Sequence, residues 1–327
     1  MRWFLALLVI TVAGALILVS RQSSEPLLGG TQKLVVVATI FPLADWLREI
    51  GGPDVEVHCL VSGGSNPHHF EPAIRDAALV ARARALFAAG LGLDEWAGRL
   101  AANSGRGEDL VYCETGSWIR PLQFHTTVVP MAAGESAEHG AKGVEVEILH
   151  GHEHGQSDPH YWLDPLRACD VVIRLADELG KLDPPHGNDY KRRATLYVGK
   201  LQALNGELAA RARGIPPGSQ VVTFHDAYSY LLGRLGIGLA AVIQASPGVE
   251  PSARDVSEAL RILRQVGQRV VFQEPMDNGL AARTIARELG AGLEILDPLD
   301  SEASSVGKTY LERVRHDLNV LADAVAK

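Results

Sequence analysis

Residues 188–218 read NDYKRRATLYVGKLQALNGELAARARGIPPG, and this segment decides how the predicted elements of the chain are divided into lobes. Its apolar residues recur at alternating spacings of four and three: Tyr190, Ala194, Tyr197, Leu201, Leu204 and Leu208. The spacing puts them in one stripe on a helix that begins near Asn188 and ends before Pro216. About 24 residues of helix span about 36 Å. An ordinary core helix has the same pattern, but the position between two sets of predicted strands favours a stiff connection between two lobes.

Eight short runs rich in β-branched residues predict strands, four on each side of this helix. They are residues 33–39, 55–61, 85–90 and 109–113, then 220–224, 239–243, 269–273 and 293–297. Runs of this kind that alternate with helical periodicity are typical of parallel sheets flanked by helices. The sequence therefore predicts an α/β fold of two similar lobes, each a four-stranded parallel sheet flanked by helices, joined by a long rigid helix.

We place the N-terminal lobe at 31–184, the connecting helix at 185–214 and the C-terminal lobe at 215–327. Residues 1–30 resemble a secretory signal, with Arg2 before an apolar run of 17 residues from Trp3 to Val19. An uncleaved N-terminal anchor is the alternative, because this run is close to the length that spans a bilayer. Either segment predicts a periplasmic or other extracytoplasmic location. The lack of a cysteine near residue 20 argues against a lipoprotein.

The composition is that of a globular protein, with 46% hydrophobic and 21% charged residues among 327. A formal net charge of −8 argues against a nucleic acid partner, which requires a basic surface. The three cysteines, Cys59, Cys113 and Cys169, are widely spaced, so at most one disulfide can form and no Cys-x-x-Cys metal pattern exists. We expect them to be buried thiols.

Histidine is concentrated in one region, since six of the twelve lie between His125 and His160. Residues 123–159 show little helical periodicity and are rich in Gly, His and Glu, which predicts a long surface loop. This loop interrupts the N-terminal lobe just before His160.

Side chains that can bind metals follow several of the predicted strands. They are His68 after the second strand, His225 after the fifth, Glu274 after the seventh and Asp297 at the end of the eighth, with His160 just before a predicted helix start at Asp164 and Pro165. Each alone has an ordinary explanation as a hydrogen-bonded loop residue. Ligands of open parallel sheets, however, bind beyond the carboxyl ends of the strands. Three imidazoles and a carboxylate there predict a site for a first-row divalent metal, with zinc favoured.

The same segments resemble the cluster A-I solute-binding proteins, which are the metal-binding receptors of zinc, manganese and iron ABC importers. The matching motifs are SNPHHFEP at 65–72, DPHYWLDP at 158–165, TFHDAYSYL at 223–231, SPGVEPSARDVSEAL at 246–260 and LDPL at 296–299. The resemblance extends over nearly the whole chain beyond residue 31.

This resemblance implies four metal ligands: His68, His160, His225 and Asp297. It makes His69 a bystander and places Glu274 beside a ligand or at the interface between the lobes. A histidine at position 225 implies Zn²⁺ as the transported ion, with Mn²⁺ as the alternative. The resemblance also implies that three loop histidines capture or sense zinc weakly: His150, His152 and His154. The alternative is that they are solvated loop residues without a role in metal binding.

The implied function is high-affinity metal binding and delivery to an ABC permease and its ATPase by a monomer without enzymatic activity. Metal affinity should fall on acidification, because the ligands must lose their protons. A Mn²⁺ or Fe²⁺ receptor of the same family is the main alternative. A secreted zinc hydrolase with Glu274 as general base is a second, weakened by the lack of a His-Glu-x-x-His helix. An adhesin is a third, which the sequence does not separate from transport.

Overall fold

The computed structural model describes residues 33–62, 65–123, 157–243, 251–275 and 279–326. Leu34–Lys327 form one compact unit. The predicted signal or anchor at 1–30 and the loop residues His150, His152 and His154 lie outside the described residues. Every helix within the described ranges is too short or too polar to cross a membrane.

The N-terminal lobe is built on a parallel sheet with the strand order β2-β1-β3-β4. Its strands are β1 (Leu34–Ala38), β2 (Val55–Cys59), β3 (Ala85–Ala88) and β4 (Val111–Glu114), and its helices are α1 (Phe41–Gly51), α2 (Ile74–Arg82) and α3 (Glu95–Ala102). In the central strand, Val36 pairs with Val57 on one side and Ala85 on the other. The chain reverses its direction of winding at β1, which is where sheets of this kind bind ligands.

A pair of helices that pack on each other connects the two lobes, α4 (Pro165–Leu182) and α5 (Gly187–Ala212). Helix α4 begins where predicted, because the Asp164 side chain accepts a hydrogen bond from Leu166 N at 3.0 Å and Pro165 occupies the first turn. Helix α5 is 26 residues long, and its buried residues are the six of the predicted stripe. The prediction of a long connecting helix is confirmed.

The C-terminal lobe contains the other four strands and four helices. The strands are β5 (Gln220–Thr223), β6 (Gly238–Val242), β7 (Val270–Gln273) and β8 (Gly292–Ile295), and the helices are α6 (Ser229–Leu235), α7 (Ala253–Val266), α8 (Leu280–Leu289) and α9 (Tyr310–Ala326). Helix α7 begins with a capping box in which Ser252 and Asp255 bond to each other's backbone N–H groups.

The α/β class is confirmed, but the second set of strands forms two parallel pairs, β5-β6 and β7-β8, where one four-stranded sheet was expected. The Gln268 side chain explains the difference. Its Oε1 accepts from Val222 N at 2.7 Å, and its Nε2 donates to Val222 O at 3.2 Å and Val270 O at 2.6 Å. A side-chain amide therefore makes the hydrogen bonds that join β5 to β7 at this point.

One apolar cluster runs through both lobes. It contains Val36 and Phe87 of the first sheet, Leu201 of α5, and Val270 and Leu296 of the C-terminal lobe. Two smaller clusters fill the remaining faces of the two lobes. Because the shared cluster includes the whole buried stripe of α5, this helix is part of a common core as well as a connection. The three cysteines are free thiols, with Cys169 buried and the other two half-buried.

Replacing Gln268 with leucine tests the bridge between β5 and β7. The change keeps the volume but leaves the buried Val222 N–H without an acceptor, so we expect the free energy of unfolding to fall by about 2–3 kcal/mol. Urea denaturation followed by circular dichroism measures the loss. Gln265→Leu on the exposed face of α7 is the control and should change stability by less than about 0.5 kcal/mol. Equal losses in the two variants would contradict the bridging role.

Candidate metal centre

Three of the predicted ligands come together in space. One side-chain nitrogen from each of His68, His160 and His225 lies within 4.8 Å of the other two. The ring centroids are 5.6 Å apart for His68 and His160, 5.4 Å for His68 and His225, and 5.0 Å for His160 and His225. His160 and His225 are buried and His68 is half-buried. Zinc holds imidazole nitrogens at about 2.0–2.1 Å, so small side-chain rotations bring this cluster to a single ion.

His68 lies in a 3₁₀ turn, Pro67–His69, beyond the carboxyl end of β2. The Asn66 side chain caps the turn by accepting a hydrogen bond from His68 N at 2.8 Å. The Trp96 indole, on α3, donates to Pro67 O at 2.9 Å and fixes the residue before the histidine. His69 points to solvent, as expected for a bystander.

His160 is oriented by Asp158, and both residues are fully buried. One oxygen, Asp158 Oδ1, accepts from His160 N at 2.9 Å and contacts His160 Nδ1 at 2.8 Å. An Nδ1–H that donates to this carboxylate leaves Nε2 as the nitrogen that can bind a metal. The aspartate therefore selects both the tautomer and the direction of the ring.

His225 follows β5 and is held from the other side of the cluster by Glu274. Its Nδ1 is 3.4 Å from Glu274 Oε1, which also lies 3.3 Å from the Tyr228 hydroxyl oxygen. Burial lowers the pKa of His225, but the charge and hydrogen bond of Glu274 outweigh burial and raise the pKa above 6.5. Within the described part of the chain, His225 Nε2 is buried without a hydrogen-bond partner.

Asp297, the fourth predicted ligand, is not among the atoms that gather within 4.8 Å in the described ranges. Its Oδ1 accepts from Leu299 N at 2.8 Å, and its Oδ2 accepts from the Ser304 hydroxyl at 2.5 Å. Burial raises the pKa of the Asp297 carboxyl above its usual value. The hydrogen bond from Ser304 and the charge of Arg313, 3.7 Å away, oppose this shift without cancelling it. The carboxylate would have to leave these partners to reach the histidines.

Further carboxyl groups surround this position. A small polar cavity between the His68 turn and the Asp297 loop is lined by Asn66, Glu274, Asp297 and Asp300 among others. Burial and the charge of Glu274 raise the pKa of Asp300 to about 8, although the neighbouring His225 lowers it. A divalent cation would relieve the repulsion among these carboxylates, so the electrostatics of the cavity favour a cation.

The Asp297 loop is fastened by Arg313 of α9, a buried cation. Arg313 donates to Ser301 O at 2.7 Å, Glu302 O at 2.6 Å and Gly307 O at 3.0 Å. Its guanidinium carbon lies 3.7 Å from the centroid of the Phe41 ring on α1. The loop that carries Asp297 is thereby attached to both lobes.

Three supporting residues were missed by the sequence reasoning: Asp158, Asp300 and Arg313. Asp158 had a local signal, since a carboxylate two residues before a candidate ligand can bond to both the backbone and the ring of that ligand. Asp300 directly follows the LDPL motif at 296–299 but looks like an ordinary loop acid. Arg313 occupies a helix with no local sign that its charge is buried.

Comparison with known proteins gives a family match over most of the chain. The family model described as zinc-uptake complex component A, periplasmic, matches residues 36–324. The zinc-binding lipoprotein AdcA of Streptococcus pneumoniae is 26% identical over 296 residues, which are 88% of this chain and 55% of that protein. The chain thus spans about half the length of this curated relative.

Two solved structures resemble the whole described fold. The laminin-binding protein Lmb of Streptococcus agalactiae, described as a bifunctional protein with adhesin and metal transporting activity, has a TM-score of 0.72 and 26% identity over 89% of this chain and 99% of its own. The solute-binding protein FpvC of Pseudomonas aeruginosa, solved in complex with Mn²⁺, has a TM-score of 0.70 and 27% identity over 90% of this chain and 98% of its own.

Arg313→Leu tests how strongly the Asp297 loop depends on its buried cation. The variant leaves the Asp297 carboxylate buried without its neighbouring charge, and we expect the free energy of unfolding to fall by about 3–5 kcal/mol. Urea denaturation at pH 7 measures it. Arg315→Leu is the control: Arg315 lies on the same helix as Arg313, and the variant breaks an exposed pair with Glu207 of α5, which should cost no more than about 1 kcal/mol. A small loss at Arg313 would show that the loop is held by other contacts.

Proposed function

The chain belongs to the family of the periplasmic zinc-uptake complex component A, and we propose that it is an extracytoplasmic receptor that binds a divalent metal ion and delivers it to an ABC permease and its ATPase. Zinc is the proposed ion. We propose that the receptor acts as a monomer and by binding and release alone, without covalent chemistry.

The observation that carries this proposal is the cluster of His68, His160 and His225, of which the last two are buried. Burying an imidazole is unfavourable unless its nitrogens gain partners, and His225 Nε2 is buried without one in the part of the chain that the structure describes. Three imidazoles that converge from three separate segments, with Asp158 and Glu274 behind two of them, have the arrangement of a metal site with its supporting carboxylates. A nitrogen-rich ligand set favours zinc over calcium or magnesium.

The relatives support this choice of ion and also its alternative. AdcA is named a zinc-binding protein, which favours zinc here, and the Mn²⁺ complex of FpvC supports manganese as the alternative cargo. AdcA is also named a lipoprotein, which does not match the expectation from this sequence. The first cysteine of this chain is Cys59, which lies within β2. We therefore propose a periplasmic protein, tethered by residues 1–30 if that segment remains uncleaved.

We propose that Asp297 completes the site by moving. Its carboxylate would exchange the Ser304 hydroxyl and the Leu299 N–H for the ion, and the reverse exchange would release the ion to the permease. A small cavity lies beside the carboxylate, on the side of Asn66 and the His68 turn, so the exchange would not need separation of the lobes. The shared apolar core makes a wide opening costly, so a loop movement is the favoured route.

Alanine variants of the three histidines test the site. We expect each of His68→Ala, His160→Ala and His225→Ala to lower zinc affinity by more than about 100-fold, since the loss of an outer partner alone costs roughly 10- to 100-fold. Competition with a chromophoric chelator at fixed pH measures the affinity. The matched control is His69→Ala, which removes the exposed neighbouring imidazole and should leave affinity unchanged. Equal losses at His68 and His69 would contradict the assignment.

Asp297→Ala separately tests the fourth ligand. We expect zinc affinity to fall at least about tenfold, because the variant cannot complete the coordination of the ion. The same chelator competition is used, with Ser304→Ala as a companion that frees the carboxylate without removing it. Wild-type affinity in Asp297→Ala would mean that this residue is not a ligand.

A further inference from the structure

Four residues flank the His-rich segment of the sequence: Leu122 and Gln123 before it, and Ser157 and Asp158 after it. We call these four residues the neck. Tyr230 of the C-terminal lobe contacts the neck through its hydroxyl. Gln123 and Ser157 form an isolated antiparallel bridge, and Asp158 N donates to Leu122 O at 2.8 Å. The Tyr230 hydroxyl accepts from Leu122 N at 2.9 Å and donates to Asp158 O at 2.9 Å.

This arrangement is a modified strand pair. At the hydrogen-bonded positions of an antiparallel strand pair, the two opposed residues exchange two N–H···O bonds. Between Leu122 and Asp158 one of these bonds is direct, and the other passes through the phenol oxygen of Tyr230. Tyr230 is only 2% exposed, so replacing its hydroxyl with water would require repacking of the neck. The hydroxyl is therefore a structural part of the neck.

The same hydroxyl connects two of the proposed ligands. Tyr230 lies in the first turn of α6, five residues after His225, and it bonds to the carbonyl of Asp158. The side chain of Asp158 in turn holds both the backbone and the ring of His160. A short path of hydrogen bonds thus joins the segment of His225 to the ring of His160. Arg167, with its guanidinium 4.9 Å from the centroid of the Tyr230 ring, covers the tyrosine and donates to Arg120 O.

We propose that Tyr230 is a positioning residue for metal binding. Its hydroxyl fixes Asp158, and through Asp158 it holds the His160 ring at the distance from His225 that one ion requires. The inference rests on the proposed metal-binding function. Within the described ranges, the neck is closed by the contacts among Leu122, Asp158 and Tyr230.

Tyr230→Phe tests the proposal in the full-length chain. The variant removes one oxygen, and we expect zinc affinity, measured by chelator competition, to fall about 10-fold or more, as for other outer partners of a metal ligand. The visible absorption spectrum of the Co²⁺-loaded variant should also change, because it reports the geometry of the ligands. Tyr190→Phe is the matched control, since it removes the hydroxyl of a buried tyrosine that bonds to Asp183 before α5. It should lower thermal stability but leave zinc affinity and the Co²⁺ spectrum unchanged.

A double-mutant cycle with Asp158→Ala tests the route of the effect. If Tyr230 acts through the Asp158 carboxylate, adding Tyr230→Phe to Asp158→Ala should lower zinc affinity by less than about threefold further. Full additivity of the two losses would overturn the proposal, as would a Tyr230→Phe variant that loses stability but keeps wild-type affinity and an unchanged Co²⁺ spectrum. Failure of the unmodified chain to bind zinc would instead overturn the proposed function, so the two failures are distinguishable.

Discussion

The candidate metal centre depends on how the backbone beside each predicted ligand is held. Within the described ranges, five Tyr and Trp side chains donate hydrogen bonds to carbonyl groups within two residues of a predicted ligand. The donor and acceptor pairs are Trp96 with Pro67, Tyr230 with Asp158, Tyr310 with Trp162, Tyr228 with Leu296, and Trp162 with Pro298. Large rings fill space in the core and lose little conformational freedom, so each combines apolar packing with a directional anchor. These hydrogen bonds hold the loops that carry the predicted ligands in one conformation. No disulfide contributes, because all three cysteines are free thiols.

These anchors also cross between parts of the chain that are far apart. Trp162 follows His160 by two residues, yet its indole donates to Pro298 O at 2.7 Å, next to Asp297. Its ring also lies edge-on to the ring of His160, with centroids 5.2 Å apart. A shift in the Asp297 loop would therefore be transmitted to His160, which couples two proposed ligands that lie far apart in the sequence.

Much of this architecture could be predicted from the sequence, because its signals are local. The stripe on α5 needs only a spacing of three and four, and the eight strands need only short β-branched runs. The three histidines could be grouped because carboxyl ends of parallel strands share an edge. The side-chain bridge of Gln268 and the burial of Arg313 could not be predicted, because each depends on residues brought near only by the fold. The contacts of Asp297 with Ser304 and Arg313 could not be predicted for the same reason.

The backbone conformation of Leu299 has a consequence for the release of the bound ion. Leu299, which is fully buried, has φ of 61°, a left-handed conformation that costs a non-glycine residue about 1–2 kcal/mol. Its N–H is held by the same carboxylate that is proposed to grip the ion. Turning that carboxylate to the ion, as proposed, would remove the acceptor of a buried N–H, and a buried donor left without a partner costs about 1–3 kcal/mol. This cost would lower the affinity for the ion and make its release easier.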